Sequence, residues 1–447
     1  MNGKKWVVAI TAVFFIICAM VGNTAAMEEI RIGTIGPITG WATIFGQGVL
    51  NGVTLALAEY NNEFNGVPIK VFSEDTKADV EVMRTKLDSL KNRDKVHLII
   101  GPSLGHEGMA AVDWGARNPE VPILIGYSAP EDITMRKATN SVIRPGWTGA
   151  QVIFNFGQYC AKDLGYKKII IVGQDYSYPW DQAAGFIRGF LENGGEKVER
   201  IWHPVEAVDF SSIMARLMQM SSEYDAVLNN SGGAQVVAFF KQWKQFGLDK
   251  VYPQILGQAN VPIVSMLSEL GDSALGVYSS LHYYDGNPSE ANQKFRESFK
   301  KKFGHYPDVI AVQGYDAVHV AFKAMKVING QVDDPQKFIA ALRQVTMSAD
   351  ESPRGPFYFD KYANPVQNIY IKKVVKKDGR LMNEAVKTYT KVSQFGPYVD
   401  MADKYMAAPA TTRDYPPGDK DAYFKEIDKY FGKDYVEKLK KNNGWVD

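Results

Sequence analysis

The chain has 447 residues, 45% of them apolar and 23% charged, a composition that excludes intrinsic disorder. Basic and acidic residues number 51 and 50, which excludes the global charge needed to grip nucleic acid or an anionic membrane. Two cysteines cannot build a disulfide framework or a metal cage, and the length calls for two or more domains.

Lys4 and Lys5 open the chain, Trp6 to Val21 is apolar apart from Thr11, and the small residues Gly22 to Ala26 follow. This order predicts a secretory signal cleaved after Ala26. The apolar run is shorter than the roughly 20 residues of a spanning helix, and Ile17 before Cys18 argues against a lipoprotein signal. Losing Lys4, Lys5 and Cys18 leaves 49 basic and 50 acidic residues and one thiol, Cys160. A protein soluble outside the cytoplasm and without an internal disulfide is expected.

Strand and helix patterns then alternate. Glu29 to Ile35 reads as a strand, and Gly46 to Tyr60 as a helix with Val49, Val53, Leu57 and Tyr60 on one face. A strand over Pro68 to Ser73 and a helix over Asp79 to Arg93 follow. Next come a strand over Val96 to Ile100, a helix from about His106 and a strand over Val121 to Ile125. Near-continuous apolar strands between helices predict a parallel sheet buried on both faces.

The rhythm restarts at Lys168 to Val172. After it come a Tyr-rich loop, a helix over about Asp181 to Asn193, a strand near Val198 and a helix from Phe210. A strand over Ala226 to Leu228 and a helix from Gly233 extend the series. Residues 289 to 345 are helical in pattern, and 357 to 375 return to strand. The fold class expected is α/β, with two doubly wound, Rossmann-like lobes. A chain that visits each lobe twice needs short crossovers, and such crossovers make a hinge. After Pro409, Pro416, Pro417 and Gly418, residues 421 to 441 read as one or two amphipathic helices. Tyr423, Phe424, Ile427, Tyr430 and Phe431 form a face expected to pack on the body of the protein.

The sequence contains no phosphate loop, no His-Glu-x-x-His and no Gly-x-Ser-x-Gly elbow. Gly33, Gly36 and Gly40 lack dinucleotide-binding spacing, and the six histidines never pair as metal ligands. No cofactor is expected, and nothing asks for an enzyme. The conspicuous segments fall at the carboxyl ends of strands, where doubly wound sheets place ligands beside helix amino termini. They are Gly36-Pro-Ile-Thr-Gly-Trp-Ala-Thr-Ile-Phe-Gly46, Gly101-Pro-Ser-Leu-Gly-His106, Gly126-Tyr-Ser-Ala-Pro130 and Gln174-Asp-Tyr-Ser-Tyr-Pro-Trp180. Glycines there admit a ligand close to the backbone, and aromatic rings cover its apolar part.

Six segments in order carry a family resemblance: Ile30-Arg-Ile-Gly-Thr-Ile-Gly-Pro-Ile-Thr-Gly40, Gln47-Gly-x-x-Asn-Gly52, Ile100-Gly-Pro-Ser103, Asp175-Tyr-Ser-Tyr178, Asp209-Phe-Ser-Ser-Ile-Met-Ala-Arg-Leu217 and Gln313-Gly-Tyr-Asp-Ala317. From about Ile30 to Val375 the chain resembles the type I periplasmic solute-binding proteins of ABC importers, in the branched-chain amino acid (Leu/Ile/Val-binding) group. The resemblance implies a periplasmic location, a signal peptide over 1–26 and three crossovers between the lobes. Lobe one would comprise 28–145 plus 282–352, lobe two 146–281 plus 353–390, and a helical extension 391–447. It also implies a ligand held between closing lobes and handed to a membrane permease by a monomer.

Pocket residues carry over one position at a time. Phe45 resembles the family's aromatic on the first loop, its alternative being a core residue under the first helix. Gly105 or His106 falls where members place a hydroxyl residue for the ligand carboxylate, although His106 could equally be an exposed cap neighbour. Ser128 and Ala129 match the next carboxylate-binding loop, with Ala129 replacing a hydroxyl but keeping its backbone N–H. Tyr178 matches the tyrosine that closes over the ligand from lobe two. Trp147, at the first crossover, either covers the ligand or packs the hinge. Tyr315 is expected in the helical core.

Ala259 falls near the acid that holds an α-ammonium group, its neighbour Gln258 is neutral, and a tyrosine near Gly232 and Gly233 is missing. An ammonium without an acid loses a charge-assisted hydrogen bond of about 1.5–3 kcal/mol, roughly ten- to a hundredfold in affinity. A carboxylate on an aromatic or branched apolar body fits these residues about as well as an amino acid. The rival readings are a branched-chain amino acid binder using other groups, a sensor docking on a signalling partner, and a nicotinamide dehydrogenase on the same sheet.

Overall fold

The computed structural model describes residues 27–252 and 255–445, so the signal segment read over 1–26 lies outside the described residues. The first sheet contains β1 (Ile30–Gly36), β2 (Glu63–Phe64), β3 (Val67–Asp75), β4 (Leu98–Ile100), β5 (Ile123–Leu124) and β6 (Val142–Ile143). Its order is β2-β3-β1-β4-β5-β6, and every pairing is parallel except the β2–β3 hairpin. Three helices join these strands: α1 (Thr43–Glu59), α2 (Val80–Asn92) and α3 (Gly105–Arg117). The Asp79 carboxylate accepts from the Glu81 and Val82 N–H groups at 2.8 and 2.9 Å, which starts α2 where the sequence predicts it.

The second lobe opens with α4 (Gln151–Lys162), β7 (Lys168–Gln174), α5 (Ser177–Leu191), β8 (Lys197–His203), α6 (Ser211–Met220), β9 (Ala226–Asn230) and α7 (Ala234–Gln245). It continues through β10 (Ile255–Gly257), α8 (Val264–Leu270) and β11 (Tyr278–Leu281). The chain then returns to the first lobe as α9 (Glu290–Phe303), α10 (Val309–Val327) and α11 (Pro335–Arg343). It closes the second sheet with β12 (Thr346–Met347), β13 (Phe357–Phe359), β14 (Pro365–Lys377) and β15 (Arg380–Val392). The path is β12-β13-β14-β11-β10-β9-β7-β8, with β15 on β14. Pairings from β8 to β11 are parallel, and those of β12 to β15 are antiparallel. The fold is therefore mixed α/β with two mostly parallel sheets.

Each lobe is fastened by a helix pair in backbone contact. A Cβ on Gly52 would sit 2.0 Å from the Ala311 carbonyl oxygen, and one on Gly314 would sit 2.0 Å from that of Val49. These glycines are what let α1 lie directly on α10. Gly189 repeats the arrangement between α5 and α4, where a Cβ would come within 1.9 Å of the Phe154 carbonyl oxygen.

Three structural differences from the sequence reading have physical causes. Helix α5 starts at Ser177 rather than near Asp181, because Pro179 is tolerated in a first turn whose N–H groups have no intrahelical partner anyway. Strands β10 and β11 were missed: one is three residues long, and the other carries the fully buried Ser279 and Ser280, which break the apolar signal. Strand β15 was missed because one of its faces is polar and open to solvent.

The chain passes between the sheets through 144–150, 282–289 and the segment after α11, which carries the short β12 and leads to β13, and two buried arginines lie in the first and third of these passages. Arg144 donates to the carbonyl oxygens of Trp147 (2.9 Å) and Pro130 (2.7 Å) and to the Thr134 hydroxyl (2.9 Å). Arg354 is ion-paired with Asp316 of α10 at 2.9 Å, with both side chains at most 1% exposed. Its guanidinium also donates to Gln367 of β14 at 3.0 Å and lies 3.8 Å from the Phe357 ring. Burial pushes the Asp316 carboxyl up and the Arg354 guanidinium down, but each holds the other charged.

Arg354→Met leaves Asp316 buried without its partner and should cost about 3–5 kcal/mol in urea unfolding. Arg354→Met with Asp316→Leu should recover most of that loss, since removing both charges removes both desolvation penalties. A single variant within about 0.5 kcal/mol of the wild type would show that the pair does not fasten the crossovers.

Candidate ligand-binding cleft

The loops at the carboxyl ends of β1, β4 and β5 face those of β7, β9 and β10. On the first loop, Asp75 at the end of β3 accepts from the Ile38 N–H (2.9 Å) and the Thr39 hydroxyl (2.5 Å), which fixes the entry to α1. Phe45, in the first turn of α1, is half-buried and packs on Tyr127 with ring centroids 5.5 Å apart. Tyr127 meets Trp147 edge-on at 5.0 Å, and Trp147 in turn lies 4.8 Å from the His282 ring. A continuous aromatic wall therefore runs from the first loop of lobe one to the crossovers. Trp147 is 1% exposed and its indole N–H has no partner among the described residues, so it packs the hinge while backing this wall.

The start of α3 closes one end. Gly105 faces the second lobe: a Cβ there would lie 3.4 Å from Pro130 and 3.9 Å from the Ser177 hydroxyl. The first turns of α3 and α5 thus oppose each other across the cleft, each presenting N–H groups that favour an anion. His106 instead points outward, exposed, with Nε2 3.3 Å from the Ala78 carbonyl oxygen. Glu107 turns back to accept from the Leu104 N–H at 3.3 Å, and its burial raises its pKa.

Ser128 and Ala129 are both buried in the loop after β5. The Ser128 hydroxyl rests against α3, where a Cβ on Gly108 would come within 2.0 Å of it, and it has no hydrogen-bond partner among the described residues. Ala129 lends its carbonyl to the Gly149 N–H at 2.9 Å, tying this loop to the first crossover.

On lobe two, Tyr178 sits in the first turn of α5, half-buried, with its hydroxyl accepting from Asn260 Nδ2 at 2.9 Å. Burial raises the pKa of Tyr178 and of Tyr127, so both stay neutral and can donate hydrogen bonds to a ligand. Gln258 is committed to its own loop: its amide donates to the Ser231 carbonyl (3.1 Å) and accepts from the Asn260 N–H (2.8 Å). It therefore shapes the turn that presents Asn260. Ala259 is fully buried, and its N–H donates to Gln182 at 3.2 Å.

The structure brings Phe45, Gly105, Trp147 and Tyr178 around one cleft, sets Ser128 and Ala129 behind it, and turns His106 away. Tyr315 lies in the helical core of lobe one, as expected, with its hydroxyl on Glu59 at 3.0 Å. Sequence reasoning missed Tyr127, Asn260 and Ser103. Tyr127 lay inside a segment already singled out, and Asn260 follows Ala259 directly. Ser103 and Asn260 are buried, and Ser103 Oγ and Asn260 Oδ1 have no partner among the described residues.

One acid near the cleft bridges the lobes. Asp308 accepts from the Ile310 N–H at 2.9 Å and from Ser265 of lobe two at 3.3 Å. Among the described residues, no group of three or more His, Cys, Asp or Glu side chains could hold a metal ion.

Residues 29–380 match the family described as periplasmic binding protein. A Leu/Ile/Val-binding protein homolog 6 of Brucella melitensis is 28% identical over 393 residues, which span 87% of this chain and 97% of that protein. An ABC transporter substrate-binding protein from Sphaerobacter thermophilus superposes with a TM-score of 0.78 at 28% identity, covering 82% of this chain and 99% of that one. A solute-binding protein of Rhodopseudomonas palustris in complex with 3,4-dihydroxybenzoic acid does so at 0.76 and 31% identity, again over 82% and 99%. With the two sheets, the three crossovers and the cleft between them, this match places the chain in the periplasmic binding protein family.

Proposed function

We propose that this protein is the periplasmic receptor of an ABC importer, that its two lobes close on a small aromatic carboxylate, and that it hands the ligand to a membrane permease as a monomer. The single observation that carries the ligand class is a cleft walled by Phe45, Tyr127, Trp147 and Tyr178 with Ala259 where an ammonium partner would stand. The aromatic wall covers a ring, the opposed helix starts at Gly105 and Ser177 hold the carboxylate, and Tyr178 with Asn260 takes a ring hydroxyl. Asp308 and Glu107 already accept from backbone N–H groups, and Ala259 stands where the family resemblance puts the ammonium partner, which disfavours an α-ammonium group. Related solute-binding proteins of Rhodopseudomonas palustris are in complex with 3,4-dihydroxybenzoic acid and 4-hydroxybenzoate, at 31% and 26% identity, which supports the same class. The relatives named for leucine, isoleucine and valine support the importer role and leave the ligand class to the pocket.

Closure follows from differential contact. Tyr178 and Asn260 reach the ligand only when lobe two swings over lobe one, so the ligand binds the closed form better and shifts the population toward it. In the absence of residues 1–26 the protein is released into the periplasm, where the permease meets the closed form.

Protein refolded to strip any carried ligand should be stabilised by benzoate, 4-hydroxybenzoate and 3,4-dihydroxybenzoate in a thermal-shift assay. A ligand at about 100 times its dissociation constant adds about 2.7 kcal/mol, an easily measured rise. Leucine and valine at the same concentration should leave the melting temperature unchanged, and an equal shift with leucine would reinstate the amino-acid reading.

Asn260→Ala removes the donor to Tyr178 and one ligand contact. It should weaken 4-hydroxybenzoate about five- to thirtyfold, a loss of about 1–2 kcal/mol, and unsubstituted benzoate much less. Calorimetric titration of both ligands checks this, and equal losses for the two would move the ring hydroxyl away from Asn260.

A further inference from the structure

The family match ends at residue 380, and the chain beyond β15 forms a separate extension laid over both lobes. Its first contacts are with lobe one. Gln394 donates to the Thr134 carbonyl at 3.2 Å, and the Tyr405 hydroxyl donates to Glu131 at 2.9 Å. Arg136 donates to the carbonyl oxygens of Met406 and Ala408, both at 3.0 Å. Residues 131–136 directly follow the Tyr127–Pro130 wall of the cleft.

The extension then crosses to lobe two. Arg200 of β8 donates to the Pro416 and Asp414 carbonyl oxygens, each at 3.0 Å, and the Val198 N–H donates to the Gly418 carbonyl at 2.7 Å. This pins 414–418 along the edge strand of the second sheet and brings Arg413 to the loop after β7. There Arg413 Nε lies 3.1 and 3.0 Å from the two oxygens of Asp175, three residues before Tyr178. The same carboxylate accepts from the Trp180 indole N–H at 3.1 Å.

We propose that Arg413 is a positioning residue for ligand binding, acting through Asp175 to hold the first turn of α5 so that Tyr178 faces the cleft, with residues 394–418 as the strap that delivers it. The proposal rests on the reading of the cleft as the ligand site. Apart from this pair, residues 175 to 178 are held by the Asp175 N–H on the His203 carbonyl (3.0 Å), a tight Tyr176–Gln174 turn (3.1 Å), the Trp180 N–H on the Tyr176 carbonyl (3.3 Å), the Trp180 indole on Asp175 (3.1 Å) and the Tyr178–Asn260 bond. Tyr176 within it is 38% exposed. Arg413 and Asp175 are 49% and 35% exposed, so the pair adds little to global stability. Its effect is local, on the first turn of α5 and the loop before it.

The test uses the full mature chain with Arg413→Ala, Arg413→Lys, Asp175→Asn and the Arg413→Ala/Asp175→Asn double variant. In ligand-free protein, amide hydrogen exchange over 174–180 should quicken about threefold or more in Arg413→Ala, with α4, β7 and β9 unchanged. With 4-hydroxybenzoate as probe, the dissociation constant should rise about three- to tenfold, mainly through faster dissociation, at an unchanged melting temperature. Arg413→Lys should restore much of the affinity, because an ammonium still pairs with Asp175, and the double variant should bind no worse than the weaker single one.

Unchanged exchange and affinity in Arg413→Ala overturn the proposal. So does a loss of protection spread over the whole second lobe with a lowered melting temperature that Arg413→Lys does not rescue, because that marks a merely structural arginine. If the wild type binds no benzoate, the proposed ligand class falls, while the exchange of 174–180 still decides whether Arg413 holds the turn.

Discussion

The cleft exists because two buried guanidinium groups hold the crossovers in place. Arg144 and Arg354 are at most 2% exposed, and neither could stay charged in a dry interior without the partners each one has. Arg144 is satisfied chiefly by carbonyl oxygens of the segment that carries Ser128 and Trp147. Arg354 reaches Asp316 in lobe one and Gln367 in lobe two, so one side chain touches both bodies that the hinge joins. A hydrophobic core tolerates sliding, whereas a guanidinium fork accepts few geometries. The crossovers are thus defined in direction as well as position, and the aromatic wall that ends on Trp147 and His282 inherits that definition.

Around that rigid knot, the cleft itself is incompletely satisfied. The Ser103 hydroxyl and the Asn260 carbonyl oxygen lack partners among the described residues. Each such group costs folding free energy, about 1–3 kcal/mol when wholly desolvated. On the proposed reading, a ligand that supplies partners to Ser103 and Asn260 offsets that cost. Gln258, by contrast, has its amide satisfied at both ends within its own loop, so it shapes the turn that presents Asn260.

Much of the fold was legible: β4, β7 and β9 appear where continuous Ile, Val and Leu runs predict them, and β1 and β3 where apolar and polar residues are mixed in strand fashion. Strand β10 was too short to read, and β11 was hidden because buried polar residues such as Ser280 look like loop until a partner is visible; the Ser280 hydroxyl bonds the Val152 carbonyl 128 residues away. The site divided the same way. Phe45 and Tyr178 were recoverable from position in a motif. Tyr127 and Asn260 were not singled out, because what distinguishes them is a neighbour distant in sequence, Phe45 for one and Tyr178 for the other. His106 has the chemistry of a carboxylate ligand but leaves the cleft, because the residue before it, Gly105, occupies the helix position that faces lobe two.

The C-terminal extension follows a different logic from the rest of the chain. Its helices α12 (Ala402–Ala407), α13 (Lys420–Phe431) and α14 (Lys433–Asn442) bury Tyr398, Tyr405, Tyr423, Phe424, Ile427 and Phe431 against α5. Glu192, at the end of α5, is 4% exposed and accepts from the hydroxyls of Tyr398, Tyr423 and Tyr435. Burial raises that carboxyl, and the three phenols offset the effect by donating to its charged form. Three donors converging on one buried acid fix the extension more specifically than its apolar face alone could. The opposite end of the same helix carries Tyr178. A helix is stiff over 15 residues, so whatever anchors its carboxyl end also limits how its first turn can move toward a ligand.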